Sequence, residues 1–317
     1  MKTIYLDSNI HHYFVRGFPD EHRGRADRAA LETCQRSSHL RFVLSDWNLT
    51  EAAREKDPRL PAKELLARYS DFFLQLKPLY LPTPVEIERM EMQRRVCRLM
   101  GWSHAENIPV FNETFTQLLA ITGITPVPLD YDLRRFMTHL QRNAASRDRF
   151  RRAEQAVPSA MRAWQRAHVE GFDKDPTVRM QIEAKWFEAL VPERRPDGRF
   201  IARQQRAEIV ERLARSPDQV YDACPAIHAE SVLAEVRARF VAREPTHQDA
   251  TDLMHAVPTL AYCTAFVSND GHLRECLKQA AKHLVSSLVI AKSLAEAVAR
   301  IGPPESTKVT GEPCKKR

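Results

Sequence analysis

The sequence has little glycine and no long apolar run, and both absences restrict the class of protein. Glycine occupies only 9 of the 317 positions, while 43% of the residues are hydrophobic and 28% are charged. This composition favours a folded, helix-rich protein over a disordered or all-β one. No apolar run approaches the ~18 residues of a membrane span. Since Asp7 also comes too early for a secretory signal, we expect a cytoplasmic protein without a membrane partner.

Cysteine pairs in metal-binding spacing are also absent. The six cysteines are scattered, with no C-x-x-C pair and no adjacent histidine at the spacing of a zinc site. We therefore expect reduced thiols. The cysteines are Cys34, Cys97, Cys224, Cys263, Cys276 and Cys314.

Basic residues outnumber acidic ones. The 48 Lys and Arg against 41 Asp and Glu give a formal net charge of +7, which favours a polyanionic partner. Arginines are most concentrated over positions 134–152, where Asp148 is almost the only local acid. Within this stretch Arg134, Arg135 and Arg142 are candidate substrate-binding residues if it contacts phosphates. The alternative is a solvated surface whose arginines pair with acids elsewhere.

Short β-rich runs alternate with helical segments near both ends of the sequence. The first part gives strand, helix, strand, helix, which implies a parallel sheet with right-handed crossovers. The last part adds a helix that Pro258 is expected to bend, then two further strands. The predicted strands are 3–6, 41–45, 265–268 and 287–290, and residues 77–81 are a candidate for one more.

Four carboxylates lie at or just beyond the ends of these strands, or at the start of a neighbouring helix. They are Asp7, Glu51, Asp252 and Asp270. The carboxyl ends of parallel strands converge, and clustered carboxylates resist ionisation unless a cation is present. Oxygen ligands without a Cys or His partner favour Mg²⁺ or Mn²⁺ over Zn²⁺. Asp249, on the same helical face as Asp252, is an extra candidate ligand that would assist or replace it.

Such an ion lowers the pKa of a bound water and neutralises charge on a phosphoryl group, which suits phosphodiester hydrolysis. Each acid also has a structural alternative. Glu51, Asp249 and Asp252 could complement the dipole of a helix start, and Asp270 with the following glycine could form a turn. His255 lies one helical turn beyond Asp252, and we expect it to pack against or support the acids rather than bind the ion.

The segments YLDSN, SDWNLTE and DLMHA followed by FVSND resemble the PIN-domain family of metal-dependent nucleases. The resemblance implies a three-layer α/β/α sandwich with a central parallel sheet, one or two Mg²⁺ or Mn²⁺ ions, and cleavage of RNA, usually single-stranded. It assigns the four acidic positions of the family to Asp7, Glu51, Asp252 and Asp270. Ser8 and Asn9 match the polar pair after the first acid, and Asn269 matches the position before the last, so these three are candidates for substrate binding.

The resemblance covers roughly residues 2–55 and 248–300, and the segment between them has no counterpart in small family members. Many members are toxins of toxin–antitoxin pairs, so a protein inhibitor or antitoxin is a candidate partner besides RNA. The sequence predicts three parts. A discontinuous nuclease core covers residues 1–56 and 247–301, a mainly helical insertion covers residues 57–246, and a disordered basic tail covers residues 302–317.

Two other functions are compatible with the sequence. A metal-independent ribonuclease similar to the HEPN nucleases would use an arginine and a histidine of the insertion, either Arg134 with His139 or Arg162 with His168. A non-catalytic RNA-binding or scaffold protein would keep the fold without the activity. Sensitivity to a chelator separates the first of these from a metal-dependent nuclease, and binding without cleavage identifies the second.

Overall fold

The computed structural model describes residues 1–103, 110–121, 132–142, 176–239 and 247–302. Residues up to 302 are covered apart from the gaps between these ranges, and the pair Arg162 and His168 of the HEPN-like alternative and residues 303–317 of the predicted tail lie outside the described ranges.

A five-stranded, all-parallel sheet forms the centre of the fold. Its strands are β1 (Lys2–Leu6), β2 (Leu40–Ser45), β3 (Leu79–Leu81), β4 (Ala265–Val267) and β5 (Val289–Ala291). The spatial order is β3-β2-β1-β4-β5, so the chain first builds outward from β1 on one side and later on the other. The boundary between β1 and β4 is therefore a topological switch point, where the carboxyl ends of the strands leave a crevice for a site.

Helices make up most of the remaining described residues, which confirms the predicted α/β class with a parallel sheet. They are α1 (Ser8–Arg16), α2 (Glu21–Arg36), α3 (Asp46–Arg54), α4 (Ala62–Leu76), α5 (Pro84–Met100), α6 (Phe115–Ile121), α7 (Leu133–Arg142), α8 (Pro176–Leu190), α9 (Arg203–Ala214), α10 (Pro217–Ala223), α11 (Pro225–Arg239), α12 (His247–Tyr262), α13 (Gly271–His283) and α14 (Leu294–Ile301). Among these helices, none combines the length and the apolar character that a membrane crossing requires.

Each face of the sheet has its own hydrophobic core, because successive residues of a strand point to opposite sides. Ile4 and Leu6 of β1 belong to a core formed with α1 to α4, α6, α7 and α14. Tyr5, between them in sequence, belongs to a core formed with α5, α11, α12 and α13. Helices therefore cover both faces, and β1 is buried on both sides as expected for a central parallel strand.

Strand β3 lies inside the segment 57–246 that the sequence assigns to the insertion. It pairs with β2 through Val43 with Leu79 and Ser45 with Leu81, so the sheet itself extends into this segment. Helix α11, near the end of the same segment, contributes to the core that contains Tyr5. Part of the segment thus forms the sheet and one of its covering layers.

A third hydrophobic cluster joins helices of this segment to one another. Met92 and Val96 of α5 pack with Phe187 of α8, Ile209 of α9 and other residues of α9 to α11. Because α5 also contributes to the core that contains Tyr5, it connects this helical cluster to the sheet.

Helix α1 differs from the sequence expectation, and α12 contains the proline that the sequence singles out. The residues after Asp7 suggest mixed structure, but they form α1, whose first N–H is accepted by the Asp7 side chain. Pro258, which is expected to bend α12, lies inside that helix, and its bend stays a prediction. A proline removes one hydrogen-bond donor from a helix. The buried residues Val257 and Leu260, on either side of Pro258, pack α12 against the sheet.

Candidate active site

Asp7 follows directly on β1. Its backbone N–H donates to the Val267 carbonyl of β4 at 2.9 Å, which continues the pairing of the two central strands. Its side chain then caps α1 by accepting from the Ser8 N–H at 2.7 Å. The buried strand and the helix start together fix Asp7 at the switch point, where its exposed fraction is only 6%.

Two polar side chains hold the other carboxylate oxygen of Asp7. Ser268 Oγ and Asn9 Nδ2 each donate to Oδ2 at 2.6 Å. Asn9 also accepts from the Asn269 N–H at 3.0 Å, so the start of α1 is connected to the end of β4. Burial raises the pKa of Asp7, while the positive charge of His255 and the bond from Ser268 oppose the increase.

Glu51 reaches the same region from α3. That helix begins with a capping box between Ser45 and Asn48, and Glu51 follows within the next turn. Ser8 Oγ donates to Glu51 Oε2. Burial opposes ionisation, but the charge and hydrogen bond of His255 outweigh it and hold the pKa of Glu51 below its usual value. Glu51 is therefore ionised at neutral pH.

His255 of α12 is buried beside these acids, with an exposed fraction of 1%. Its Nε2 lies 2.9 Å from Glu51 Oε2 and 3.9 Å from Asp7 Oδ1. Burial lowers the pKa of the imidazole, but the carboxylates of Glu51, Asp7 and Asp252 outweigh burial and raise that pKa to about 9. At neutral pH His255 is an imidazolium that offsets one negative charge of the acids.

A buried hydrogen-bond chain fixes the orientation of this imidazolium. His255 Nδ1 lies 2.7 Å from the Tyr5 hydroxyl, which lies 2.6 Å from Ser45 Oγ. A doubly protonated imidazole donates to Tyr5, Tyr5 donates to Ser45, and Ser45 donates to Asn48 Oδ1 at 3.0 Å. Each donor of the chain has an acceptor, as buried polar groups require.

Asp252 lies about one turn before His255 on α12 and is also buried. Arg237 of α11, itself buried, places Nη2 3.8 Å from Asp252 Oδ2. Burial raises the pKa of Asp252 to about 7; Arg237 opposes this increase, and the charges of Asp7 and Asp270 add to it. The charges of Asp7 and Asp270 therefore both act on Asp252.

Asp270 begins α13 as its N-cap. Its Oδ1 accepts from the Leu273 N–H at 2.8 Å, and its own N–H donates to Ser268 Oγ at 3.0 Å. Because the same hydroxyl donates to Asp7, one serine connects the first and the last acid of the site. Asp270 is partly exposed, so it lies on the solvent side of the cluster.

The predicted polar residues Ser8, Asn9 and Asn269 all lie at this site. Ser8 and Asn9 orient the acids, as described above. Asn269 accepts from Arg23 Nη1 at 3.0 Å and donates to the Tyr13 hydroxyl at 2.8 Å, at the edge of the cluster. Their predicted role in binding substrate stays a prediction.

The predicted basic residues lie elsewhere on α7. Arg134 and Arg135 are exposed, and Arg134 pairs with Asp71 at 2.5 Å. His139, the partner of Arg134 in the HEPN-like alternative, is exposed on the same helix. The side chains of Arg142 and of the extra acid Asp249 are outside the described part of the structure.

A hard divalent cation suits the chemistry of this donor set. Among the described residues, no group of three or more His, Cys, Asp or Glu side chains has the geometry to hold a metal ion. The electrostatics nevertheless fit a cation, because burial raises the pKa of Asp252 and repulsion from Asp7 and Asp270 raises it further. Mg²⁺ or Mn²⁺ would relieve this repulsion, and carboxylate oxygens are the ligands that both prefer.

Arg237, Tyr5 and Ser268 are among the residues of the site that were not predicted from the sequence. Arg237 comes from a helix assigned to the insertion, and no local pattern marks it. Tyr5 looks like any other apolar strand residue. Ser268 offered a signal, because a polar side chain that ends a buried strand at a switch point faces the crevice.

No model of a known protein family, no curated protein and no solved structure matches the chain. The functional assignment therefore depends on the site itself.

Proposed function

We propose that the chain is a metal-dependent endoribonuclease with a PIN-like α/β/α fold, which hydrolyses phosphodiester bonds of RNA. The observation that carries the proposal is the meeting of remote acids at the switch point between β1 and β4. Asp7 and Asp270 are connected through Ser268, and the charges of both raise the pKa of buried Asp252. Glu51 is connected to this group through its contact with His255.

Asp7, Asp252 and Asp270 would hold the ion, with Glu51 beside them. When bound, Mg²⁺ or Mn²⁺ would supply a water of lowered pKa and neutralise the charge that develops on the phosphoryl group. Asp7 cannot rotate freely, because Ser8 donates to one of its oxygens and Ser268 to the other. Supporting hydrogen bonds of this kind orient ligands for catalysis.

Glu51 is suited to accept a proton from water. It is ionised at neutral pH because the charge and hydrogen bond of His255 outweigh its burial. The contacts from Ser8 and His255 both reach Oε2, so among the described residues Oε1 is available as the acceptor. His255 and Arg237 meanwhile offset part of the negative charge, which reduces the repulsion among the acids.

The net charge of +7 supports a polyanionic substrate. Single-stranded or structured RNA, a cytoplasmic location and a protein inhibitor of the antitoxin kind all remain predictions. The helical segment between β3 and α12 is the part of the chain that would determine which RNA reaches the site.

Cleavage of end-labelled single-stranded RNA by the purified full chain tests the proposal. We expect cleavage with Mn²⁺ or Mg²⁺, loss of cleavage in EDTA and recovery when the ion is restored. Asp7→Asn should reduce the rate by on the order of 100-fold or more, because it removes a ligand charge. The control Asp57→Asn makes the same change at a carboxylate that Arg59 holds at 2.8 Å, and it should cleave like the wild type.

Two results would contradict the proposal. Activity that persists in EDTA and disappears in His139→Ala would support the HEPN-like alternative. Binding of RNA without cleavage under either ion would support a non-catalytic RNA-binding or scaffold protein.

A further inference from the structure

The loop over residues 192–202, PERRPDGRFIA, joins α8 to α9, and we name it the arginine loop. Its backbone folds back on itself. The Arg195 N–H donates to the Arg199 carbonyl at 2.8 Å, and the Ile201 N–H donates to the Glu193 carbonyl at 2.9 Å. Gly198 sits at the turn with φ of 84°, a left-handed conformation that favours glycine.

Side chains at the base of the arginine loop hold it against the helices. Ile201 is buried in the cluster formed by α5 and α8 to α11. The Arg195 guanidinium lies 5.0 Å from the centre of the Trp102 ring and donates to Gln205 at 2.8 Å. Arg206 donates to the Val191 carbonyl at 3.2 Å. These contacts therefore hold the loop backbone in place relative to the helices, while its outer side chains face away from them.

The side chain of Phe200 is exposed on the outer side of the arginine loop. Its exposed fraction is 64%, although the Arg194 guanidinium covers one face of the ring at 3.6 Å from its centre. The other face is consequently open. An exposed aromatic ring beside a guanidinium is an arrangement on which a nucleic acid base can stack.

Three exposed arginines lie within six positions of Phe200 in the chain: Arg194, Arg199 and Arg203. The side chain of Arg199 is 81% exposed, and its nearest acid, Asp197, lies 3.8 Å away and is itself half exposed. Such a pair is weak in water, so Arg199 can exchange it for a phosphate. Arg203 also lines an open cleft of about 540 Å³ between α8 and α9, together with Arg206, Glu188 and Glu211.

We propose that the arginine loop is a binding site for single-stranded nucleic acid. A base stacks on the open face of Phe200, and the backbone phosphates lie against Arg194, Arg199 and Arg203. The identification of the ligand as RNA rests on the proposed function. A flat ring with planar guanidinium groups favours this ligand over an acidic protein surface, because it matches both the face of a base and the oxygens of a phosphate.

Fluorescence anisotropy of a labelled oligouridine of about 16 nucleotides tests the site, with the full chain in EDTA and a series of salt concentrations. Phe200→Ala should weaken binding about tenfold and leave the salt dependence unchanged, and Phe200→Trp should restore affinity. Arg199→Ala should reduce the slope of log affinity against log salt by about 0.7, the value for one phosphate contact on a single strand.

Matched controls are Val285→Ala, at a 92% exposed apolar residue, and Arg36→Ala, at an arginine whose side chain is 79% exposed on α2. Both should bind like the wild type. Thermal unfolding of every variant confirms that the fold is kept.

Wild-type affinity and salt slope in both Phe200→Ala and Arg199→Ala would overturn the proposal. A second contradicting result would be that polyglutamate displaces the RNA from the wild type and that Phe200→Ala weakens polyglutamate binding as much as it weakens RNA binding. The loop would then be a docking site for an acidic protein. The two proposals fail separately. RNA that binds through the loop and is never cut contradicts the nuclease, whereas RNA that is cut while loop variants bind normally contradicts the loop site.

Discussion

His255 Nε2 lies 2.9 Å from Glu51 Oε2, although the two residues are 204 positions apart in the chain. The contact places a cationic side chain inside a group of buried acids. Clustered carboxylates repel one another and resist ionisation. His255 on one side and Arg237 on another offset part of this repulsion, so the protein can keep the acids together before any ion binds.

The stability of the ion-free protein should depend on His255 above neutral pH. Burial disfavours the imidazolium, but Glu51, Asp7 and Asp252 outweigh it and raise the pKa from 6.5 to about 9. A raised pKa means that protonation stabilises the folded state, so this contribution is complete below pH 6.5 and is lost as the pH rises through about 9. The expected loss is about 3 kcal/mol.

Urea unfolding in EDTA across this pH window measures the effect. His255→Gln should show a flatter dependence than the wild type over the same window. Equal slopes in the two proteins would mean that His255 does not carry the charge assigned to it.

Replacing Tyr5 by Phe should disturb both stability and activity. The change removes the acceptor of His255 Nδ1 and leaves a buried donor unpaired, at a cost of about 1–3 kcal/mol. It should also reduce RNA cleavage about tenfold, because His255 is no longer held toward Glu51. Tyr221→Phe is the control: its hydroxyl donates to buried Glu183 at 2.8 Å in the helical cluster, so that variant should lose stability and keep its cleavage rate. Equal cleavage by the two variants would contradict a positioning role.

Replacing Asp252 by Asn should separate stability from function. Burial and the charges of Asp7 and Asp270 raise the pKa of Asp252 from 3.8 to about 7, so its ionised form disfavours the folded state near neutral pH. This penalty develops as the pH rises from about 4 to about 7, and a neutral amide removes it. In EDTA at pH 7 we therefore expect the variant to be at least as stable as the wild type, with RNA cleavage reduced on the order of 100-fold. A variant that unfolds much more easily, or that cleaves normally, would contradict this account.

The sequence predicted the parts of the fold that local patterns encode. All five strands follow from short apolar runs, including β3 within the predicted run 77–81, and their alternation with helices indicates the parallel sheet. Helix α4 was missed although its buried residues Leu65, Tyr69, Phe72 and Leu76 repeat at helical spacing, because its aromatic residues are not strong helix formers.

The four acids could also be predicted as neighbours in space, because strand ends converge in any parallel sheet. The residues that contact these acids could not be predicted. His255 contacts Glu51, and Arg237 contacts Asp252, only after α11 and α12 pack against the sheet. Such contacts depend on tertiary packing between remote segments, and no spacing in a single sequence specifies them.

Diffraction from crystals of the full chain grown with Mn²⁺ tests the central claim most directly, because anomalous scattering locates the ion without reference to any activity. We expect a peak bounded by Asp7, Asp252 and Asp270, with carboxylate oxygens about 2.1 Å from the ion, and no such peak in Asp7→Asn. A peak at another place on the protein, or none at a concentration of Mn²⁺ that supports cleavage, would contradict the assignment of these acids to a metal site.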